Sequence, residues 1–179
     1  MVSWKLVQKA RGILEKERGT VRKPWGGKIT ICLLYPNGYH VGMSNLGFQT
    51  LYQILNSESD VICERAFLPE PEDLQEYRNS QIPLFSLESQ KPLSHFDILA
   101  FSISFENDFL NVLTLLELAH IPLESHLRNE RHPWVIAGGV AVFLNPEPIS
   151  QFFDLFVLGE AEEVVREFLD VYRRALSEN

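Results

Sequence analysis

Residues 97–104 read Asp97-Ile98-Leu99-Ala100-Phe101-Ser102-Ile103-Ser104, apolar at nearly every position. A strand covered on one face alternates apolar and polar residues, whereas a run like this marks a central parallel strand buried on both faces. Parallel strands need a crossover between them, usually a helix, and the flanking sequence supplies one on each side. Upstream, Lys28 to Leu34 (KITICLL) is a β-branched apolar run that stops at the turn signal Pro36-Asn37-Gly38. Ser44 or Asn45 can cap the helix that follows, and Leu46, Leu51, Tyr52, Ile54 and Leu55 carry it to about Asn56. Val61 to Phe67 reads as a second strand, Pro71 to Arg78 as a short helix, and Ile82 to Leu87 as a lesser extended segment. Downstream, a helix from about Asp108 to Ala119 places Phe109, Val112, Leu113, Leu116 and Ala119 at helical spacing, with Pro122 limiting its continuation. Trp134 to Ala137 and Leu155 to Leu158 read as the last two strands, ending at Gly138-Gly139 and Gly159. The closing helix, Glu160 to Leu176, sets Val164, Phe168, Tyr172 and Leu176 on one face.

This alternation predicts an α/β fold: a doubly wound, flavodoxin-like, five-stranded and mostly parallel sheet in the order 2-1-3-4-5. An added N-terminal helix from Ser3 to about Glu17 has Trp4, Val7, Ile13 and Leu14 near one face, and Gly19, Pro24, Gly26 and Gly27 punctuate the connector behind it. Residues 1–27 therefore form an arm and residues 28–179 the main domain. The arm is basic. Lys5, Lys9, Arg11, Lys16, Arg18, Arg22, Lys23 and Lys28 against Glu15 and Glu17 give the first 28 residues +6, which leaves −14 for the rest of a chain whose net charge is −8. Such a split fits an arm lying on its own acidic body or on a neighbouring domain, with contact to nucleic acid the less favoured alternative.

Apolar residues at 45% and charged residues at 22% of 179 positions describe a globular chain rather than a disordered or fibrous one. The longest apolar runs fall far short of the roughly 20 residues of a membrane helix, and Met1 to Ala10 offers no signal-peptide core. A cytoplasmic location is expected. Cys32 and Cys63 both sit inside apolar segments, which predicts buried, reduced thiols.

In a sheet of this order, ligands bind at the carboxyl ends of the strands where the order reverses, between the first and third strands. The loops to watch are Tyr35 to Ser44, Ser104 to Asp108, Gly138 to Glu147 and Gly159 to Glu162. Familiar chemistries are missing from them. Gly42 and Gly47 have the spacing of a phosphate-binding loop, but Phe48 and Gln49 stand where Lys and Ser/Thr are required. No G-x-G-x-x-G follows the first strand. His40, His95, His120, His126 and His132 are scattered, so no metal site is predicted, and no His or carboxylate pairs by spacing with Ser102 or Ser104.

The runs Tyr35-Pro36-Asn37-Gly38-Tyr39-His40-Val41-Gly42-Met43-Ser44-Asn45-Leu46-Gly47, Phe101 to Glu106, Ile136 to Gly139, Asn145 to Pro148 and Gly159 to Glu162 resemble, in order and placement, the N-terminal cobalamin-binding-like domain of a family of radical S-adenosylmethionine proteins. The resemblance spans about Lys28 to Leu169. It implies an accessory domain, not catalytic alone, that precedes a radical core in the same polypeptide. That core would be the enzyme, holding a [4Fe–4S] cluster on a CxxxCxxC motif together with S-adenosylmethionine. Two cysteines 31 positions apart cannot hold such a cluster here, so the chain looks like a domain that ends just before the core.

The resemblance also implies cobalamin, or a related cofactor or substrate, at the strand ends. Domains of this kind that ligate cobalt resemble one another in an Asp-x-His-x-x-Gly loop. Here His40 has Gly38 in place of the Asp, and Gly42 comes one position early. The partner that would orient the imidazole is missing, so a histidine in a turn is the favoured reading of His40. Candidate cofactor contacts are His40, Gly42, Ser44, Asn45, Ser102, Ser104, Glu106, Gly138, Gly139, Gly159 and Glu160. Each also has a structural role open to it. Glycines make turns, serines bond to backbone, and Glu106 and Glu160 can serve helix starts. The competing function is a degenerate docking domain that binds no cofactor and positions the core or its substrate.

Overall fold

The computed structural model describes residues 3–178. In chain order it contains α1 (Trp4–Leu14), β1 (Ile29–Tyr35), α2 (Tyr39–Met43), α3 (Leu46–Ser57), β2 (Val61–Phe67) and α4 (Pro71–Ser80). There follow β3 (Ile98–Ser102), α5 (Phe109–Leu118), β4 (Trp134–Gly138), α6 (Val140–Leu144), β5 (Leu155–Phe156) and α7 (Ala161–Ser177). The five strands form one sheet in the order β2-β1-β3-β4-β5, as the alternation of elements predicts, and every pairing is parallel.

Alternate residues of each strand feed two apolar clusters. On one face Cys32, Leu34, Leu99, Phe101, Ile103, Val135 and Ala137 pack with Val112, Leu115 and Leu116 of α5 and with Leu6, Val7, Ala10 and Leu14 of α1. On the other, Ile29, Ile31, Leu33, Tyr35, Ile98 and Ile136 meet Phe48, Tyr52 and Leu55 of α3 and Val165 and Leu169 of α7. Both cysteines are buried and unpaired, as their apolar surroundings predict, and burial pushes both thiols up, away from the reactive thiolate.

The arm is docked by its apolar stripe and by polar contacts, of which those of Glu17 are the most buried. The Arg65 guanidinium, 2% exposed, sends Nε to Glu88 (2.6 Å) and Nη1 and Nη2 to Glu17 (3.0 and 2.6 Å). The Tyr39 hydroxyl donates to the same Glu17 at 2.6 Å, and the Tyr52 ring lies under the guanidinium carbon at 4.5 Å. Beside this cluster, Glu64 accepts hydrogen bonds from Trp25 Nε1, Ser86 Oγ and Ser89 Oγ at 2.5–2.9 Å. Two carboxylates and a guanidinium are thus buried, and each is answered by fixed partners. Along the outer side of β2, Asn56 bonds to both backbone groups of Cys63, Arg65 N donates to Glu88 and Leu87 N donates to Arg65 O, while Lys23 Nζ donates to Val61 O.

Several expectations are corrected. Trp4 is 66% exposed, because the buried stripe of α1 runs through Leu6, Val7, Ala10 and Leu14. In α7 the stripe is centred on Val165 and Leu169, with Phe168 and Tyr172 half-buried and Leu176 exposed. Ile82 to Leu87 makes only an isolated bridge between Phe85 and Pro92, closed by Ser86 N to Lys91 O and Leu93 N to Leu84 O, while Leu84 N goes to Leu118 O and Leu87 N to Arg65 O. The last strand is two residues long. Residues 39–43 and 140–144, expected as loop, form short helices whose five residues are too few to show a period.

Candidate functional site

β1 and β3 lie side by side, and their crossovers leave in opposite directions, so their carboxyl ends open a crevice. On the face covered by α3 and α7 that crevice is an open cavity of about 470 Å³. Its depth has a simple cause. The residues of β3 and β4 that face it at the carboxyl end are small, namely Ala100, Ser102 and Gly138. The walls are apolar: Ile31, Leu33 and Ile136 from the sheet, Leu51 and Leu55 from α3, Val165 and Phe168 from α7. Polar groups gather at the mouth.

Of the residues singled out in the sequence, Asn45, Ser102, Ser104, Gly138, Gly139, Gly159 and Glu160 line this one cavity. Asn45 caps α3, its Oδ1 accepting from Phe48 N at 2.9 Å, and its Nδ2 donates across the mouth to Ser104 Oγ at 3.1 Å. The Ser104 hydroxyl proton stays free to donate to a ligand. Glu160 and Glu162 add two carboxylates, and no Lys, Arg or His lines the cavity among the described residues. Phe143 and Val140 of α6 and Gly47 of α3 complete the lining. Leu46, Phe105, Phe143 and Leu144 are exposed nearby, so an apolar border surrounds the opening.

The other four candidates lie outside the cavity lining. His40 is exposed on α2, its ring edge-on to Tyr39 with centroids 5.3 Å apart. Gly42 is buried where a Cβ would fall 2.6 Å from the Phe67 ring, which gives it a packing role. Ser44 is exposed and donates to His40 O at 2.7 Å. Glu106 is exposed in the short turn before α5. Neither it nor Asp108 caps that helix with its side chain. Asp108 is instead buried and accepts from Asn37 Nδ2 at 2.9 Å and Asn111 Nδ2 at 3.3 Å, tying the β1 and β3 ends together from the α5 face. Burial raises its carboxyl, the two amides opposing, and its Oδ2 has no partner among the described residues.

Gly139 has φ +104°, and a Cβ there would lie 2.5 Å from Ile103 O. The β4 turn therefore packs directly onto the β3 backbone, and only glycine fits. Gly139→Ala is expected to destabilise the chain by more than about 1 kcal/mol in denaturant titration; an unchanged midpoint would show that the turn relaxes freely.

A second groove, of about 570 Å³, lies at the opposite end of β3 and β4. Its main cation, Arg128, is wholly committed to Asp154 and to the carbonyls of Pro122, Leu123 and Phe152. Glu130, Arg131 and His132 line the same groove, with Glu130 and Arg131 exposed to solvent.

Fold and cavity together define a doubly wound α/β domain with an apolar, cation-free cavity at its topological switch point. The chain belongs to the family described as radical SAM proteins, N-terminal, whose model matches residues 47–179. It is also similar to an uncharacterized protein of Methanocaldococcus jannaschii, 25% identical over 132 residues. That match covers 74% of this chain and 24% of the relative, so the chain spans about a quarter of the length of the curated protein it resembles. No helix among the described residues is long and apolar enough to cross a membrane, and no group of three or more His, Cys, Asp or Glu residues is placed to hold a metal ion.

Proposed function

We propose that residues 28–179 form an accessory domain of a radical S-adenosylmethionine enzyme that binds cobalamin, or a cofactor of similar build, at the carboxyl ends of its strands. The observation that carries this is the convergence of Asn45, Ser102, Ser104 and the Gly138-Gly139 turn on one cavity whose interior is apolar. The donor set fits a ligand that inserts an uncharged ring between α3 and α7 and leaves its amide-rich part at the mouth. The walls exclude water from the ring, and the Ser102 and Ser104 hydroxyls and the Asn45 amide donate to ligand oxygens. With no cation in the lining, a ligand anchored by a multiply charged phosphate is disfavoured. Cobalamin would supply cobalt-centred alkyl or electron transfer when bound, and the absence of His40 from the cavity lining favours binding without an imidazole of this domain on the metal. The [4Fe–4S] cluster and S-adenosylmethionine belong to a core further along the polypeptide, and the apolar border at Leu46, Phe105 and Phe143 suits a protein surface closing over the opening.

Calorimetric titration with hydroxocobalamin tests the reading. Binding is expected in the chain and in His40→Ala, and its loss in Ala100→Leu, which fills the cavity floor and should change stability by less than about 1.5 kcal/mol. A visible spectral change that disappears in His40→Ala would make His40 the cobalt ligand instead. No binding, either in the chain or in a polypeptide that includes the core, would leave the docking domain as the function.

A further inference from the structure

The arm is docked by the wrong residues for its charge. Leu6, Val7, Ala10 and Leu14 bury its apolar stripe, and the ionic contact at its far end is acidic Glu17 against Arg65. Among its cations, Lys9 pairs with Asp73, and Lys23 and Lys28 donate to backbone carbonyls. Lys5, Arg11, Lys16, Arg18 and Arg22 are exposed and have no ion pair or side-chain hydrogen bond among the described residues. The body carries a large excess of acid that could have neutralised them, so their outward placement leaves a positive surface without a counterpart. At 100° per residue Lys5 and Arg11 stand about 120° apart on α1, and Lys16, Arg18 and Arg22 follow its end at Leu14. Arg11 shares its side of the helix with Trp4. Trp4 is 66% exposed, with the Arg11 guanidinium carbon 5.7 Å from its ring centroid. Glu15 is the one exposed acid in the arm.

We infer that the exposed side of the arm binds RNA through its phosphates, with an unpaired base stacked on Trp4. Unpaired cations strung along the arm suit a polyphosphate chain, and an exposed indole beside a guanidinium offers the planar platform on which any base can stack. An acidic peptide would satisfy the charges but has no use for the indole. The face is separate from the cavity, since α1 packs on the α5 side of the sheet and the cavity lies on the side of α3 and α7.

Fluorescence anisotropy of a fluorescein-labelled oligouridylate with the 179-residue chain tests it. The logarithm of affinity should fall against the logarithm of salt with a slope of about −3 if the five free cations engage. Reversing Lys5, Arg11 and Lys16 to Glu should reduce that slope by about 2 and the affinity at least tenfold. Trp4→Ala should weaken binding roughly five- to a hundredfold. All are surface changes, and circular dichroism would confirm that the fold is kept. Absence of binding at low salt, or binding indifferent to these variants, overturns the inference. A labelled polyglutamate bound as tightly as the RNA, with no dependence on Trp4, also overturns it and assigns the face to an acidic protein.

Discussion

Phe101→Ala is expected to lower the stability of the chain by about 3–5 kcal/mol. Phe101 lies in the middle strand of the sheet, paired in register with Leu34 on one side and Ala137 on the other. It is 2% exposed, and its ring meets Phe153 edge-to-face at 5.5 Å. Truncation removes a large apolar surface from the most enclosed part of the core. The two neighbouring strands hold the backbone in place, so the vacated space cannot close by a shift of β3. The opposite face of the same strand behaves differently, because Ala100 already borders the cavity and enlarging it fills space. Chemical denaturation measures the contrast, and a loss below about 1 kcal/mol for Phe101→Ala would mean that the strand is not enclosed as described.

Arg65→Met should cost a similar amount, about 3–5 kcal/mol, by a different route. The substituted chain retains Glu88 and Glu17 but loses the guanidinium between them, and a buried carboxylate without its cation is strongly disfavoured. Arg65→Lys should rescue little, since one ammonium cannot serve Nε toward Glu88 and a fork toward Glu17 together. Adding Glu88→Leu to Arg65→Met should recover part of the loss, because the uncompensated charge is then gone. Acid acts on the same cluster. Burial alone would raise the Glu17 carboxyl, but its bonds from Arg65, Tyr39 and Thr20 outweigh that and hold it below the usual glutamate range. A carboxyl lowered by folding contributes stability above its unfolded pKa, and that contribution is lost as pH falls through the folded value. The arm is therefore expected to loosen first on the acid side, with limited proteolysis cutting near residue 18 before the body. Equal protection of arm and body through the acid range would refute this, and an Arg65→Met variant within about 1 kcal/mol of the parent would show the cluster to be of little weight.

Strand order was legible because three of the five strands run into a clear stop, Pro36-Asn37-Gly38, Gly138-Gly139 or Gly159, and because Ile98 to Phe101 is apolar on both faces. The site's address followed from that order, and seven of the eleven candidate residues line the cavity. The cavity itself was not legible. Its depth depends on Ala100, Ser102 and Gly138 facing the same way beneath α3 and α7, and periodicity within one strand does not report which small residues neighbouring strands bring together. Trp4 misled for a related reason, since a helix with apolar residues on more than half its circumference does not say which arc is buried. Glu64 and Arg65 were hidden inside a strand that reads as apolar. Their partners come from residues 17, 25, 86, 88 and 89, at separations no local pattern connects.

The way β2 is bordered limits what this sheet can do to other chains. An edge strand ordinarily offers a row of open amides and carbonyls on which a stray strand can pair, the route to swapped dimers and fibrils. On β2 that row is already taken, by the Asn56 amide at Cys63, by Glu88 and Leu87 at Arg65, and by Lys23 at Val61. The opposite edge, β5, has only two residues in which to seat an intruder. A module sealed in this way can be attached to unrelated neighbours in a long polypeptide, or appear first from the ribosome, without recruiting them into its own sheet.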